Sequence, residues 1–417
     1  MQSKALAPAL IAAIAIACGS PQKVEDPEVQ ARPFDLRVAT FNIEDLRTEE
    51  VSDPRSARAR AAAAVIQQIR PDVVLVNELT YDQPGGPAWQ EGAGEGQNGQ
   101  RFADNFLAVS QGKGLEPIRF QAFSRPSNTG IASGFDFDND GVAVTEPPDL
   151  PPASADPESR RQTAEGRAYG ADNWGFGTFP GQYSMALLVR EDLHILEDQA
   201  RTFQLLPWSA LPGALAPVDP ETGEPWYSPE EWAEFRLSSK SHWDVPVRLP
   251  SGAVVHFLIS HPTPAAFDGD EQRNQKRNHD EIRFWADYLS GADYIYDDSG
   301  ESGGLAPEAS FIIMGDLNAD PQKGSSFNNP MGRLILNHPR VQGDFIPVAR
   351  AAGVDPEWAE LEKTDTAQWG MRIDYVLPSR DIEIRDGAIE RPATDAACVS
   401  DHFPVWLDLT VPAAWVP

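Results

Sequence analysis

Six short apolar segments are spread along the chain, and each of them borders a polar side chain. The segments read VATFN, VVLVNE, VHFLISH, FIIMGDLN, RIDYVL and SDHFPVWLDL. Short apolar runs that are rich in branched and aromatic residues and bounded by Gly or Asp are typical of buried β-strands. The pattern therefore predicts a fold built on sheets, whose strands end either in ordinary turns or in a functional site.

Helical patterns separate some of these strands. RSARARAAAAVIQQI, residues 55–69, is alanine-rich and is closed by Pro71, and residues 271–289 also have helical spacing. HWDVPVRLPSGAVVHFLIS reads as a hairpin, because two alternating runs are joined around Ser251-Gly252. Strands that alternate with a few helices favour an α/β (α+β) fold of mixed sheets covered by helices.

The polar residues at the strand ends are four carboxylates, two amides and two imidazoles. They are Asn42, Glu78, His261, Asp316, Asn318, Asp374, Asp401 and His402. A lone histidine at such a position is more often structural, but eight residues from six strands favour a site. Mg²⁺ prefers oxygen ligands and keeps several waters, so one or two carboxylates suffice to hold it. Attack on a phosphoester further needs an oriented water, a base and stabilisation of charge on the non-bridging oxygens.

The motifs resemble those of a known family. TFNIEDL, DVVLVNEL, LISHPTP, IMGDLNADP, RIDYVLPS and VSDHFPV are similar, in this order, to motifs of the endonuclease/exonuclease/phosphatase family, whose fold is that of deoxyribonuclease I. The resemblance extends over residues 36–412. It implies a four-layer sandwich of two mixed β-sheets flanked by helices, a site at the sheet edge, and Mg²⁺ or Mn²⁺ as cofactor.

The resemblance also implies a metal side of the site. Glu78 would be the principal metal ligand, with Asn42 beside it, and Asp401 would complete this side. His261 is expected among the catalytic residues, and it occupies a strand end where deoxyribonucleases, sphingomyelinases and inositol-phosphate phosphatases have His, whereas apurinic endonucleases have Tyr. A role in abasic-site repair is therefore not expected, and Pro262 leaves the branch of the family open.

The remaining motif residues would carry the chemistry. By resemblance, Asp316 and Asn318 position or activate the attacking water and contact the phosphate. His402 is the general acid/base or a phosphate-binding imidazole, and Asp374 orients it. The choice between Asp316 and His402 as the base stays open at this point.

The N-terminal segment MQSKALAPALIAAIAIACGS predicts export from the cytoplasm. One Lys precedes a short apolar run, which is the shape of a signal peptide over residues 1–17. AIAC resembles the end of a bacterial lipoprotein signal, so Cys18 would be acylated. The acylated cysteine would anchor the protein in the cell envelope, most simply in the outer membrane. The alternative is an ordinary cleaved signal and a secreted protein. Residues 18–35 are polar and aperiodic, which suits a tether.

The catalytic domain is expected over residues 36–412, with loop insertions at 126–181 and 207–239. The first insertion contains three alternating carboxylates followed by Gly141: Asp136, Asp138 and Asp140. They match the first half of a Ca²⁺ loop, but Pro147 stands where a bidentate Glu would complete it. A calcium-binding loop and a plain acidic turn both remain open. The second insertion is aromatic and would cover a substrate pocket, enter lipid headgroups or fold on its own aromatics.

Charge limits the choice of substrate. With 34 Lys plus Arg against 63 Asp plus Glu, the net charge of −29 disfavours tight non-specific binding of duplex DNA. We expect Arg277, His279 and Tyr183 to contact a phosphoester substrate, which would be a short nucleic acid, a lipid phosphodiester or a small organic phosphate. A monomeric phosphodiesterase is the favoured reading, a phosphomonoesterase is a second, and a non-catalytic binding lipoprotein on the same fold is the alternative from another class.

Overall fold

The computed structural model describes residues 32–150, 162–350, 358–392 and 399–413. The predicted signal peptide (1–17), Cys18 and most of the tether lie outside the described residues. Within the described part, no helix has the length and apolar character needed to cross a membrane.

Two β-sheets form the centre of the fold. The strands are β1 (Phe34–Leu46), β2 (Val73–Leu79), β3 (Phe120–Phe123), β4 (Met185–Arg190), β5 (His194–Ile195), β6 (Arg201–Thr202), β7 (His242–Arg248), β8 (Val254–Ser260), β9 (Ser310–Asp316), β10 (Val348–Ala349), β11 (Asp374–Pro378), β12 (Glu383–Ile389) and β13 (Val405–Val411). The first sheet has the strand order β10-β12-β13-β1-β2-β4-β3, and the second has the order β11-β9-β8-β7-β5, with β6 also paired to β7. Each sheet is mixed, because β1 and β2 are parallel, as are β8 and β9, among mostly antiparallel neighbours.

Helices cover the outer faces of the sheets. They are α1 (Thr48–Ser52), α2 (Ala57–Ile69), α3 (Asn98–Phe102), α4 (Ala164–Ala171), α5 (Pro229–Glu234) and α6 (Arg273–Leu289), with π-helical turns at Ala103–Leu107 and Met331–Ile335. The Ser56 side chain accepts a hydrogen bond from Ala59 N at the start of α2, and Arg70 ends the helix in the left-handed conformation just before Pro71. The helical pattern predicted for residues 55–69 is therefore observed with nearly the same bounds.

Alternation along the strands divides the apolar side chains among the layers. In β2, Val73 and Leu75 face the second sheet, whereas Val74 and Val76 pack under α2 and α3. In β9, Ile312 lies between the sheets and its neighbours pack against α6. Buried strands that alternate in this way place apolar residues on both faces of each sheet. The predicted four-layer sandwich of helix, sheet, sheet and helix is therefore confirmed.

The aromatic insertion 207–239 packs onto α6. Trp208 is fully buried, and its Nε1 donates a hydrogen bond of 2.7 Å to Asp280 Oδ2 on that helix. Tyr227 and Phe235 are also buried in the same cluster, with their ring centroids 4.7 Å apart. Of the three roles considered, folding on its own aromatics is the one that this packing supports.

Candidate active site

Six strands bring their polar ends to one edge of the sandwich. The carboxyl ends of β1, β2, β8 and β9 meet the amino ends of β11 and β13, because β11 is antiparallel to β9 and β13 is antiparallel to β1. Three of these strands belong to each sheet. Strand register sets Asp374 directly opposite Asp316 and places Asn42 beside Asn77, the residue before Glu78. The structure therefore brings together all eight predicted residues, which are far apart in the sequence.

Asn42 links the two sheets at this edge. Its amide nitrogen lies 3.0 Å from Glu78 Oε1 and 3.0 Å from Asp316 Oδ2, and 3.4 Å from His402 Nε2. Its carbonyl oxygen accepts a hydrogen bond of 3.0 Å from Glu44 N. A neutral amide can thus hold two carboxylates close together without adding charge of its own.

Glu78 is held in an unusual backbone conformation. Its φ is +61°, in the left-handed region that side chains other than Gly rarely adopt, and such strain costs roughly 1–3 kcal/mol and concentrates at functional sites. A bulge in β1 wraps around the carboxylate, so that Asp45 N donates to Glu78 Oε2 at 3.1 Å. Burial raises the pKa of Glu78, and Asn42 opposes that shift by its hydrogen bond.

His402 lies between two opposed carboxylates. Its Nδ1 is 3.0 Å from Asp374 Oδ2, and its Nε2 is 3.7 Å from Asp316 Oδ2 and 3.8 Å from Asp401 Oδ1. Burial alone would lower the pKa of His402, but Asp374 and Asp316 raise it well above its ordinary value. Burial raises the pKa of Asp374 to about 6, although His402 opposes the shift. Strand pairing brings the carboxylates of Asp374 and Asp316 close together, and the positive charge of the His402 imidazole offsets their mutual repulsion.

The loop after β9 holds the other side of Asp316. Asn318 has a φ of +51°, and its backbone N donates to Asp316 Oδ1 at 2.9 Å. His261 Nε2 lies 3.4 Å from Asp316 Oδ2, and burial, followed by the charge of Lys240, lowers the pKa of His261 to about 4. Burial would raise the pKa of Asp316, but His402 and His261 bring it well below its usual range. Asp316 is therefore an ionised acceptor beside a neutral His261.

Gly315 explains the glycine in the GDLN motif. Its φ is +145°, and an added Cβ would lie 2.0 Å from the carbonyl oxygen of Ser260 on β8. Only glycine permits this close approach of β9 to β8. The contact sets Asp316 next to the residue that follows Ser260, which is His261.

The cluster has the composition expected of a divalent-cation site. Ligand atoms of Glu78, His261 and Asp316 lie within 4.8 Å of one another. Carboxylate oxygens are the ligands that suit Mg²⁺ and Mn²⁺, and burial raises the pKa of both Glu78 and Asp401. His261 Nδ1 is buried without a hydrogen-bond partner in the described residues. The residues therefore fit a divalent cation.

Two of the three expected substrate contacts, Arg277 and His279, are engaged with other residues. Arg277 is buried, and its Nε and Nη2 donate to the backbone carbonyls of Leu237, Trp174 and Arg236. The expectation that Arg277 binds substrate is therefore corrected, because its guanidinium is enclosed and holds the aromatic insertion against α6. His279 pairs with Asp280 at 3.0 Å and contacts the ring of Phe327, and its contact with substrate stays a prediction.

Tyr183 does border the cluster. Its φ is +58°, and its hydroxyl accepts a hydrogen bond of 3.1 Å from Gln162 Nε2. Burial, together with the carboxylates of Asp45 and Glu78, raises the pKa of Tyr183 far above its ordinary value. Tyr183 therefore stays protonated close to Glu78, and its contact with substrate stays a prediction.

The acidic loop gathers a different set of carboxylates from the one in the motif. Oxygens of Asp136, Asp138 and Asp172 lie within 4.8 Å of one another, while Asp140 turns back to accept a hydrogen bond from Val142 N. Asp172 Oδ1 and Oδ2 accept hydrogen bonds from Phe137 N and Val144 N. Calcium binding by this loop stays a prediction, because internal hydrogen bonds already account for the arrangement.

Sequence reasoning missed the support behind Glu78. Asp45 is buried, forms a 2.7 Å ion pair with Arg47 and accepts a hydrogen bond of 3.1 Å from Gln182 Nε2. Asp45 follows Asn42 in the TFNIEDL motif, but a bulge between Asn42 and Leu46 brings its backbone N to Glu78, and no periodicity in the sequence reveals a bulge.

Comparison with known proteins agrees with this geometry. The family model described as the Endonuclease/Exonuclease/phosphatase family matches residues 39–402. The crystal structure of an endonuclease/exonuclease/phosphatase from Beutenbergia cavernae is 17% identical with a TM-score of 0.50, and the match covers 92% of this chain and 73% of that one. No curated protein sequence matches the chain.

Two further solved structures show more distant similarity. An endonuclease/exonuclease/phosphatase from Bacteroides vulgatus is 14% identical with a TM-score of 0.42, covering 90% of this chain and 98% of its own. D. rerio TDP2 complexed with single strand DNA product is 12% identical with a TM-score of 0.42, again covering 90% and 98%. The match of the family model over most of the chain establishes that this protein belongs to the endonuclease/exonuclease/phosphatase family, whose members are typically metal-dependent phosphoesterases or nucleases.

Proposed function

We propose that this protein is a metal-dependent phosphodiesterase. The observation that carries the proposal is the convergence of six strands on His402, which Asp374 holds at 3.0 Å and Asp316 faces at 3.7 Å. An imidazole oriented by one carboxylate beside a second, ionised carboxylate is an arrangement suited to proton transfer and anion stabilisation.

The residues take separate roles in this proposal. The carboxylate of Glu78 would hold the cation, Asn42 positions that carboxylate through its amide nitrogen, and Asp401 lies on the same side. A divalent cation bound there supplies positive charge to the non-bridging oxygens of the phosphoryl group. Asn42 Nδ2 lies 3.0 Å from Glu78 Oε1 and 3.4 Å from His402 Nε2, and Asp401 Oδ1 lies 3.8 Å from the same nitrogen of His402.

Asp316 is the base and His402 the donor in the proposed reaction. Asp316 Oδ2, which remains ionised, orients the attacking water and takes its proton as the water oxygen bonds to phosphorus. The P–O bond to the leaving group breaks in the same step, and the leaving oxygen departs into solvent, which supplies a proton where one is needed. The His402 imidazole lies between Asp374 and Asp316 and stays protonated on both ring nitrogens. Its Nε2 donates a hydrogen bond to the phosphoryl group. Asn318 is fixed by its own backbone bond to Asp316 and adds an amide donor at the same place.

The test is a panel of substrates with defined metals. The purified protein should hydrolyse bis-p-nitrophenyl phosphate with Mg²⁺ or Mn²⁺ and lose this activity in EDTA. Parallel assays use p-nitrophenyl phosphate, plasmid DNA and sphingomyelin. Faster turnover of the monoester would make the protein a phosphomonoesterase, and turnover of sphingomyelin alone would make it a lipid phosphodiesterase. Absence of turnover on all four would favour a non-catalytic binding protein.

We propose further that the enzyme acts outside the cytoplasm and is anchored through Cys18. The N-terminal sequence pattern supports this proposal. Cys18→Ser is expected to convert a protein that needs detergent for extraction into a soluble or uncleaved one, because acyl chains supply the anchor. Cell fractionation measures this, with Cys398→Ser as the control at the other cysteine of the chain. A wild type that fractionates as a soluble protein would contradict the lipid anchor.

A further inference from the structure

Lys240 is a buried lysine next to the cluster for which the sequence analysis had no role. It lies two residues before the start of β7 and is 6% exposed. Its ammonium donates one long hydrogen bond of 3.4 Å, to the carbonyl oxygen of Pro262. Among the residues that the structure describes, no carboxylate oxygen lies within 4.0 Å of Nζ. An ammonium has three N–H donors, so most of its hydrogen-bonding capacity is unused.

The acceptor of this bond connects Lys240 to the active site. The carbonyl of Pro262 also accepts a hydrogen bond of 3.1 Å from the side chain of Asn318, and Pro262 directly follows His261. Burial lowers the pKa of Lys240, and the carboxylates of Glu281, Glu78 and Asp316 oppose that shift. The ammonium of Lys240 and the amide of Asn318 therefore approach the cluster from the same side.

Glu281 on α6 fixes the backbone on both sides of this contact. Its Oε1 accepts a hydrogen bond of 2.7 Å from Ser239 N, and its Oε2 accepts one of 2.6 Å from Thr263 N. Glu281 is itself buried, so solvent does not compete for these bonds. One carboxylate thus holds both the segment that carries Lys240 and the loop after His261. The backbone from which the Lys240 side chain extends is therefore fixed.

The environment of Lys240 is unfavourable for a purely structural side chain. A buried cation without a close counter-ion costs more free energy than its hydrogen bonds return, and a well-packed apolar side chain of similar volume is often at least as stable. A lysine that serves to bind an anionic ligand has a reason to remain there, because the ligand supplies the missing partner. Lysine is a common ligand of phosphate groups, which it contacts as a point charge.

We propose that Lys240 is a catalytic residue that contacts a non-bridging oxygen of the substrate phosphoryl group beside Asn318. The inference rests on the proposed phosphoesterase function and adds a protein cation to the site. The substrate oxygen would take the N–H donors that Pro262 leaves unused, and its negative charge would balance the buried ammonium.

Lys240→Met tests this role, because methionine keeps the length and volume of the side chain and removes its charge. We expect kcat/KM on bis-p-nitrophenyl phosphate to fall by about 10- to 100-fold, the usual effect of losing a hydrogen bond to a charged group. The thermal midpoint should stay unchanged or rise, because a poorly paired buried cation is removed. Lys276→Met is the matched control, since Lys276 Nζ also donates to a backbone carbonyl, that of Glu271 at 2.9 Å.

The outcomes separate this inference from the proposed function. An active wild type, an impaired Lys240→Met with an undiminished midpoint and an unaffected Lys276→Met would support it. If Lys240→Met stays within about threefold of an active wild type in kcat/KM, the inference is overturned and the proposed function stands. A rate loss that accompanies a lowered midpoint would overturn it as well, because Lys240 would then only support the Pro262 loop. A wild type without turnover on any of the four substrates would overturn the proposed function itself and the inference with it.

Discussion

Replacing His402 with alanine is expected to lower kcat/KM on a phosphodiester by about 10²- to 10⁴-fold, the usual cost of losing a positioned acid or base. Asp374→Asn should fall in the same range, because Asp374 Oδ2 lies 3.0 Å from His402 Nδ1 and fixes the imidazole tautomer. Both changes damage one interaction in the transition state. The double variant should therefore be scarcely slower than His402→Ala alone.

The measurement is kcat/KM for the wild type, both single variants and the double variant on bis-p-nitrophenyl phosphate. A second pair in the same protein provides the control, because His256 Nδ1 lies 2.7 Å from Asp244 Oδ1 on the neighbouring strands β8 and β7, outside the cluster. His256→Ala should leave the rate unchanged, which shows that the loss is not a general effect of breaking an Asp–His pair. If the two single losses multiply in the double variant, Asp374 and His402 act independently.

The polar strand ends could be predicted because they violate a local rule. A short apolar run predicts a buried strand, and a carboxylate or imidazole directly at its end is costly to bury unless it has partners. Asp316 in FIIMGDLN and His402 in SDHF stand out for this reason, and the structure brings them within 3.7 Å of each other. The division of the six strands between two sheets could not be predicted from local sequence. It depends on pairings between distant residues such as Asp374 and Asp316, which are 58 positions apart.

The errors and omissions also have physical causes. Arg277 looked available because residues 273–279 gather basic side chains on an otherwise acidic protein, just after the His261 loop. Most of helix α6 is nevertheless buried, and its Arg277 and Glu281 are enclosed. Helical periodicity identifies the face that packs only when the buried side chains are apolar. Lys240 was missed because it precedes a strand, whereas the pattern that identified the site residues concerns polar side chains at the borders of the six apolar segments. Asp172 joins Asp136 only through the folding of the long insertion.

Glu78→Gln is expected to weaken metal binding and thereby activity. Glutamine keeps the shape of the side chain and an oxygen that can accept the hydrogen bond from Asp45 N, but it removes the negative charge that a divalent cation requires. We expect the Mg²⁺ or Mn²⁺ concentration for half-maximal activity to rise by about 10- to 100-fold, a range typical of changes around metal sites. Raising the metal concentration should recover part of the lost rate.

Thermal unfolding with and without metal gives a readout that does not depend on turnover. A ligand present at about 100 times its Kd stabilises the folded protein by about 2.7 kcal/mol, and a tenfold loss of affinity removes about 1.4 kcal/mol of this. Without metal, Glu78→Gln removes a buried negative charge near Asp316, but its amide nitrogen then faces the amide nitrogen of Asn42, so the readout is the shift of the midpoint on adding metal and not the midpoint itself. Glu50→Gln is the control for the response to metal, since Glu50 Oε2 also accepts a backbone N–H, that of Arg47 at 3.0 Å, outside the cluster. Its own midpoint without metal is the reference, because Glu50 also pairs with Arg58 at 3.2 Å. A Glu78→Gln variant whose activity and midpoint respond to metal as the wild type does would remove Glu78 from the metal site, and the cation would then have to be held by Asp316 and Asp401 instead.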